Sequence, residues 1–238
     1  MTADRASEPS NLEAPQVQAM FDRIAGVYDR MNDVMTAGLH HRWRRRAADL
    51  ARVGPGRRVL DVATGTGDLA IELAGRVRPG GEVVGLDFSE AMLERAREKA
   101  PGIRFEAGDA QELPFPDNSF VAATVGFGAR NFADLDRSIA EMKRVVRPGG
   151  RVVILEITTP TRSPLAGFCR AWFDRLVPLL GALAGDSAAY SYLPQSVKRF
   201  PSPEELAARM AAAGLGEVGW IETAGGIIAI HHGTVPAP

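Results

Sequence analysis

The chain has 238 residues, 45% hydrophobic and 24% charged, with a formal net charge of −1 and a sequence pI of about 6.4. That is enough chain for one α/β domain with a full core, and the near-neutral balance excludes a global field that would gather nucleic acid. A single cysteine, Cys169, excludes an intramolecular disulfide framework and suits a reducing cytosol, where a small buried hydrophobe is its ordinary role. Four histidines and that cysteine show neither HExxH nor CxxC spacing, so no metal is implied.

Residues 1–15 carry acidic side chains and no apolar core, and they read as a disordered tail rather than a signal peptide. Val17, Met20, Phe21, Ile24, Tyr28 and Met31 recur at helical spacing and predict one amphipathic helix. A second helix carries Trp43, Ala47 and Leu50 and stops near Gly54-Pro55-Gly56. It holds the densest basic run, His40-His41-Arg42-Trp43-Arg44-Arg45-Arg46, which reads either as a solvated face around one core tryptophan or as a contact for anionic lipid headgroups.

An alternating core follows: strand 58–63, helix 67–77, strand 82–86, helix 90–99 capped by Ser89, strand 103–106 and strand 120–125. A helix capped by Asp134 buries Leu135, Ile139, Met142 and Val146, ends in the turn Arg147-Pro148-Gly149-Gly150, and gives way to strand 151–156. Residues 160–200 interrupt the alternation; Leu165, Phe168, Trp172, Phe173, Leu176 and Leu180 suit either a lid over a long apolar substrate or an ordinary packed helix. Its longest apolar run, Leu176 to Gly185, contains Pro178 and is too short to span a bilayer. Ser202-Pro203-Glu204-Glu205 is a capping box with proline at the first helical position, opening a helix that closes at Gly214. Strands near 217–223 and 227–232 finish the chain as an antiparallel pair. The expected fold is therefore α/β, a seven-stranded mixed sheet with an antiparallel last strand and helices on both faces. Residues 16–238 form one domain: N-terminal helices at 16–53, a cofactor-binding core at 57–158 and an insertion at 160–200.

The most informative stretch is Arg58-Val59-Leu60-Asp61-Val62-Ala63-Thr64-Gly65-Thr66-Gly67-Asp68-Leu69-Ala70. A strand runs into an acidic residue, then a glycine turn, then a helix, and a second strand closes on Asp87. Glycines admit a close ligand, and a carboxylate at the second strand's end accepts ribose hydroxyls, so this is a site for a nucleoside-bearing cofactor. Gly65-x-Gly67-x-x-Ala70 fits a dinucleotide fingerprint, which keeps a nicotinamide oxidoreductase as a rival reading. Asp61 argues against it, because a carboxylate there repels a pyrophosphate and favours the ammonium and sulfonium of S-adenosyl-L-methionine (SAM). Asp-x-x-x-Gly-x-Gly resembles motif I of class I SAM-dependent methyltransferases, and the final antiparallel pair points the same way.

Other positions fit that reading. Thr66 either orients the methionine portion or supports the turn. Asp109-Ala110 follows the third strand, where an acidic residue meets the adenine amino group; its plain alternative is a turn residue. After the fourth strand the chain reads Gly126-Phe127-Gly128-Ala129-Arg130-Asn131. The Asn/Asp-Pro-Pro-aromatic tetrapeptide of amino-directed nucleic-acid methyltransferases is absent. Two glycines open space there, and Arg130 and Asn131 offer donors that suit a substrate attacking as an enolate or phenolate.

Further motifs narrow the reading. Tyr28-Asp29-x-Met31-Asn32 with Met35-Thr36 and His40-x-x-Trp43, then Arg144 to Gly150 with Glu156, Tyr190-x-Tyr192-Leu193-Pro194-x-Ser196-Val197 and Gly225-Gly226-Ile227-x-Ala229-x-His231 appear in order. Together they resemble the quinone C-methyltransferases of menaquinone and ubiquinone biosynthesis across roughly residues 17–233. Thr36 and Thr158 stand where that family has serines, Arg147 where it has lysine, Ala129 where it has a larger aliphatic residue, and Gly126 where it has serine, which removes a hydroxyl expected near the cofactor. The resemblance implies carbon methylation of a prenylated quinol in the cytoplasm, demethylmenaquinol ahead of a ubiquinone precursor or another phenol. Arg130, Asn131 and Tyr28 would act on the developing phenolate. It allows peripheral contact with the inner face of the membrane and a homodimer, and implies no nucleic acid.

Overall fold

The computed structural model describes residues 14–158 and 187–237. The expected disordered tail, Cys169 and the apolar residues proposed for the lid lie outside them almost entirely. Seven strands form one sheet: β1 Arg58–Val62, β2 Glu82–Asp87, β3 Arg104–Ala107, β4 Phe120–Gly126, β5 Val146–Ile157, β6 Gly216–Thr223 and β7 Ile228–Thr234. Their order is β3-β2-β1-β4-β5-β7-β6. The first five run parallel, and β7 lies antiparallel to both β5 and β6.

Continuous apolar runs make the central strands, because both sheet faces are covered. Leu60, Val62, Val84, Ala123, Val125, Val152 and Ile154 point to one face, which is closed by α6 (Leu135–Val145) and α8 (Pro203–Ala212). Val59, Val83, Ala122, Val153 and Leu155 point to the other, beneath α3 (Leu39–Leu50), α4 (Asp68–Val77) and α5 (Glu90–Lys99). The period of two that sorts these side chains also places Asp61 beside Gly85 of β2 and Thr124 of β4. Sheet order reverses between β1 and β4, so a crevice opens at their carboxyl ends, where ligands of open α/β sheets bind.

Three caps form as the sequence predicts. Ser89 accepts from Met92 N, Asp134 accepts from Arg137 N, and Ser202 and Glu205 form the reciprocal box with Pro203 at the first position. Two details differ. The predicted N-terminal helix is two, α1 (Ala14–Ile24) and α2 (Tyr28–Thr36), because the chain turns at Ala25-Gly26-Val27, where glycine is a poor helix former. The expected turn at Arg147-Pro148-Gly149-Gly150 belongs to β5 as an outward bulge, the register jumping from Phe120↔Val146 to Ala122↔Arg151. Gly149 N donates to Val235 O at 2.8 Å and Val235 N to Gly150 O at 2.9 Å, so this backbone stays paired. Ahead of α8, helix α7 (Ser187–Arg199) packs against α1 and the short 3-10 turn Ala129–Asn131.

Candidate active site

The crevice at the carboxyl ends of β1, β2 and β4 holds a cavity of about 320 Å³. Asp61, Gly65, Thr66, Asp87, Asp109, Ala110, Gly126, Asn131 and Tyr28 all line it. Gly67 and Arg130 do not, and each is held behind the wall.

Gly67 serves the backbone. It caps α4 with φ at 84°, a left-handed conformation natural to glycine, and an added Cβ would sit 3.0 Å from the Phe105 ring. The turn before it is closed by Gly67 N donating to Thr64 O at 3.0 Å. Gly128 leaves no room at all, since a Cβ there would stand 2.6 Å from the Ala63 Cβ.

Asp61 is 1% exposed and accepts from the hydroxyls of Thr64 and Thr124, each at 2.7 Å. Burial pushes its carboxyl up to about 6, against those two hydroxyls and the nearby Arg44 charge. Asp87 is likewise pushed up to about 6 by burial, although Gly65 N donates to it at 2.7 Å and Ser89 N at 3.0 Å. These two bonds leave acceptor positions on Asp87 for ribose hydroxyls. Two buried carboxylates with spare acceptor capacity form a cradle for a ligand bearing a cation and hydroxyls, and SAM fits it. Asp109 is exposed and accepts from Gln111 N at 2.8 Å and Gln111 Nε2 at 3.2 Å, with buried Ala110 beside it.

Around the 129–131 turn the structure separates two residues that the sequence paired. Asn131 lines the cavity, and its Oδ1 is buried without a partner. The Arg130 guanidinium instead lies against Glu156 Oε1 at 2.8 Å and donates from the same nitrogen to Phe127 O. Glu156 also accepts from Arg130 N at 3.2 Å and Ile157 N at 2.8 Å. Arg130 is thus a buried, paired cation, its guanidinium pushed up by Glu156, Tyr28 and Tyr192 against the effect of burial. Through Nη1 it bolts the turn that presents Asn131, while its Nε is buried without a hydrogen-bond partner.

Several cavity residues escaped the sequence reading. Arg44 belongs to the basic run, yet it is 5% exposed, lines the cavity, meets Asp68 at 3.3 Å and stands over the Phe127 ring at 5.3 Å. Its place on the period of His40, Ala47 and Ala48, all buried on one side of α3, was the available signal. The N-terminal helices close the cavity's edge. Gln18 donates to Phe88 O at 2.7 Å, Ser89 to Asp22 at 2.5 Å, and Thr66 to Asp29 at 2.6 Å. Lys99 ties Asp29 and Asp68 together at 2.5 and 2.8 Å. Thr66 therefore ties the turn to α2 and α5 while it lines the cavity.

Among the described residues one histidine cluster has donors close enough for a metal, Asp33, His40 and His41, within 4.8 Å. Arg44 donates to His40 Nδ1, so the ring proton lies on Nε2 and points at Asp33 Oδ1, 2.8 Å away. That is a satisfied hydrogen-bond relay.

Solved structures share this architecture. A SAM-dependent methyltransferase of Thermotoga maritima is 22% identical, with 92% of this chain and 99% of that one covered and a TM-score of 0.63. The 4+2 cyclase SpnF is 19% identical over 94% of this chain and 97% of its own, with a TM-score of 0.70. Such likeness speaks to the fold, and two named activities on it show that fold alone does not choose the reaction. Sheet, glycine turn and paired buried carboxylates together are those of the class I SAM-dependent methyltransferases. Residues 10–235 match the model of the ubiE/COQ5 methyltransferase family, and the chain belongs to that family. It is 48% identical to a demethylmenaquinone methyltransferase of Thermus thermophilus, over 91% of this chain and 100% of that protein. It is 51% identical to one of Deinococcus radiodurans over 83% and 84%, and 40% identical to a ubiquinone/menaquinone biosynthesis C-methyltransferase of Pseudomonas paraeruginosa over 96% and 92%.

Proposed function

We propose that this chain methylates a ring carbon of a reduced polyprenyl quinone precursor, and that the precursor is demethylmenaquinol. The observation that carries the reading is similarity: relatives named for demethylmenaquinone alone are 44%, 48% and 51% identical, whereas those named for both quinones are 40% identical.

Bound SAM supplies an electrophilic methyl group on a sulfonium. Asp61 and Asp87 would hold its cationic and hydroxyl-bearing parts, Asp109 and Ala110 would flank its base, and Gly65 leaves open space for it. Phe21, Phe88, Phe127 and Phe132 wall the cavity with aromatic surface, which suits an aromatic ring. Asn131 presents a buried acceptor without a partner, the complement of a quinol O–H, and its amide donates to the oxyanion as the ring carbon gains nucleophilicity. Tyr28 adds a second hydroxyl contact. Arg130 acts through the turn it anchors to Glu156. Water takes the proton lost from the ring.

A polyprenyl tail keeps such a substrate in a bilayer, so the enzyme meets it at a membrane surface. Val27, Val34 and Leu39 are exposed apolar side chains on and beside α2, and Arg42, Arg45 and Arg46 are exposed on α3. They form the contact face. No helix among the described residues is long and apolar enough to cross a membrane.

The test is methyl transfer from isotope-labelled SAM to chemically reduced demethylmenaquinone, read by mass spectrometry. Labelled menaquinone is the expected product, and Asn131→Ala should slow its formation by about a hundredfold while SAM affinity holds. A protein that binds SAM but labels only a benzoquinol precursor would overturn the substrate assignment.

A further inference from the structure

A second cleft, of about 360 Å³, lies at the other end of the sheet, where β4, β5 and β6 begin and β7 ends. Arg52, Arg57, Arg147 and Arg151 line it against one carboxylate, Glu217. Arg151 is 5% exposed, and its Nη1 is buried with no hydrogen-bond partner. Its Nη2 stays 3.8 Å from Glu217 Oε2, beyond hydrogen-bond length, while that oxygen accepts from Thr234 Oγ1 at 3.0 Å. None of Arg52, Arg57 and Arg147 makes an ion pair among the described residues, and all three are exposed. A buried guanidinium with an idle Nη1, inside a ring of cations, has only the distant Glu217 carboxylate as a charge partner among the described residues.

The surroundings carry the same sign. Burial and the Arg52 charge push the Arg151 guanidinium down, and burial with Arg151 and Arg52 pushes the neighbouring His232 imidazole down. Arg52 stands at φ 50°, Glu217 at φ 47° and Gly149 at φ 76°. Left-handed conformations are uncommon for long side chains, and two of them meet at this cleft.

We propose that the cleft is an anion site distinct from the cofactor cavity, and that it binds a phosphoryl group. Guanidinium forks match phosphoryl oxygens two at a time, and the cleft supplies four forks. Arg151 at the base completes its hydrogen bonding only when such a group is present, and the exposed arginines neutralise the remaining charge. The same chemistry arrives either on free diphosphate or on the phosphate of an anionic lipid.

The experiment uses the full chain saturated with SAM, so that the anion does not enter the cofactor cavity. Titration calorimetry with sodium pyrophosphate at constant ionic strength, chloride replacing it in the control, should show saturable binding. R52S with R147S should weaken it by about tenfold or more without moving the melting temperature. Arg151→Gln should abolish it; if that variant fails to fold, the exposed pair still decides. A parallel arm measures co-sedimentation with phosphatidylglycerol vesicles in the Val34→Asp, Arg42→Glu background, which removes the contact of α2 and α3. Pyrophosphate binding lost in the double variant supports the site with free anion as its ligand. Vesicle binding alone, lost in the same variant, supports it with lipid phosphate as the ligand. Absence of both, or binding that ignores the substitutions, overturns it.

Discussion

Buried among hydroxyl and amide donors, Asp61 and Asp87 are acids that titrate near neutrality, about 6 for each. Both folded-state values lie above the ordinary 3.8, so between about 4 and 6 the folded protein binds more protons than the unfolded chain. These two groups therefore lower the ligand-free protein's stability as pH rises through that window. Cofactor affinity moves the opposite way, because only the carboxylate attracts a cation. Calorimetry should show SAM binding tightening from about pH 5 to about pH 7, and Asp61→Asn should both weaken binding and flatten the slope. An unchanged slope in that variant would remove Asp61 from the cofactor's charge. Asp61 was legible in the sequence because strand, acid and glycine turn are contiguous. The pairing of Arg130 with Glu156 was not, since 26 residues separate them and only the β4–β5 register brings them together.

Elements repeat the contrast. Ser89, Asp134 and the Ser202–Glu205 box were all readable, because a cap is decided within four residues. The break between α1 and α2 was not, since Tyr28 and Met31 stay on the apolar period across it. Its consequence is a separate short helix whose Asp29 reaches Thr66 on the cofactor loop and Lys99 at the end of α5. That makes α2 a clasp. Asp29→Ala should raise the SAM dissociation rate by about tenfold, the worth of one charged hydrogen bond, with little change in melting temperature. Stopped-flow fluorescence measures the rate; an unaltered rate would make the contact merely structural.

At the scale of the molecule, the sheet puts the cofactor crevice at one end and the arginine cleft at the other, with α2 and the exposed arginines of α3 flanking the former. If α2 and α3 meet lipid, Val34→Asp with Arg42→Glu should cut co-sedimentation with anionic vesicles several-fold while SAM binding in solution is unaffected. Equal sedimentation of variant and parent would place the membrane face elsewhere. The sequence by itself determined the α/β class, seven strands, the nucleoside site and the family, because periodicity, caps and glycine turns act over a few residues and survive without tertiary context. Only the tertiary structure decided which charges are free. Arg44 turned inward, Arg130 was tied to Glu156, and Arg151 was buried with an idle Nη1. Burial and pairing depend on residues brought together from distant strands, where desolvation rather than residue type sets the chemistry.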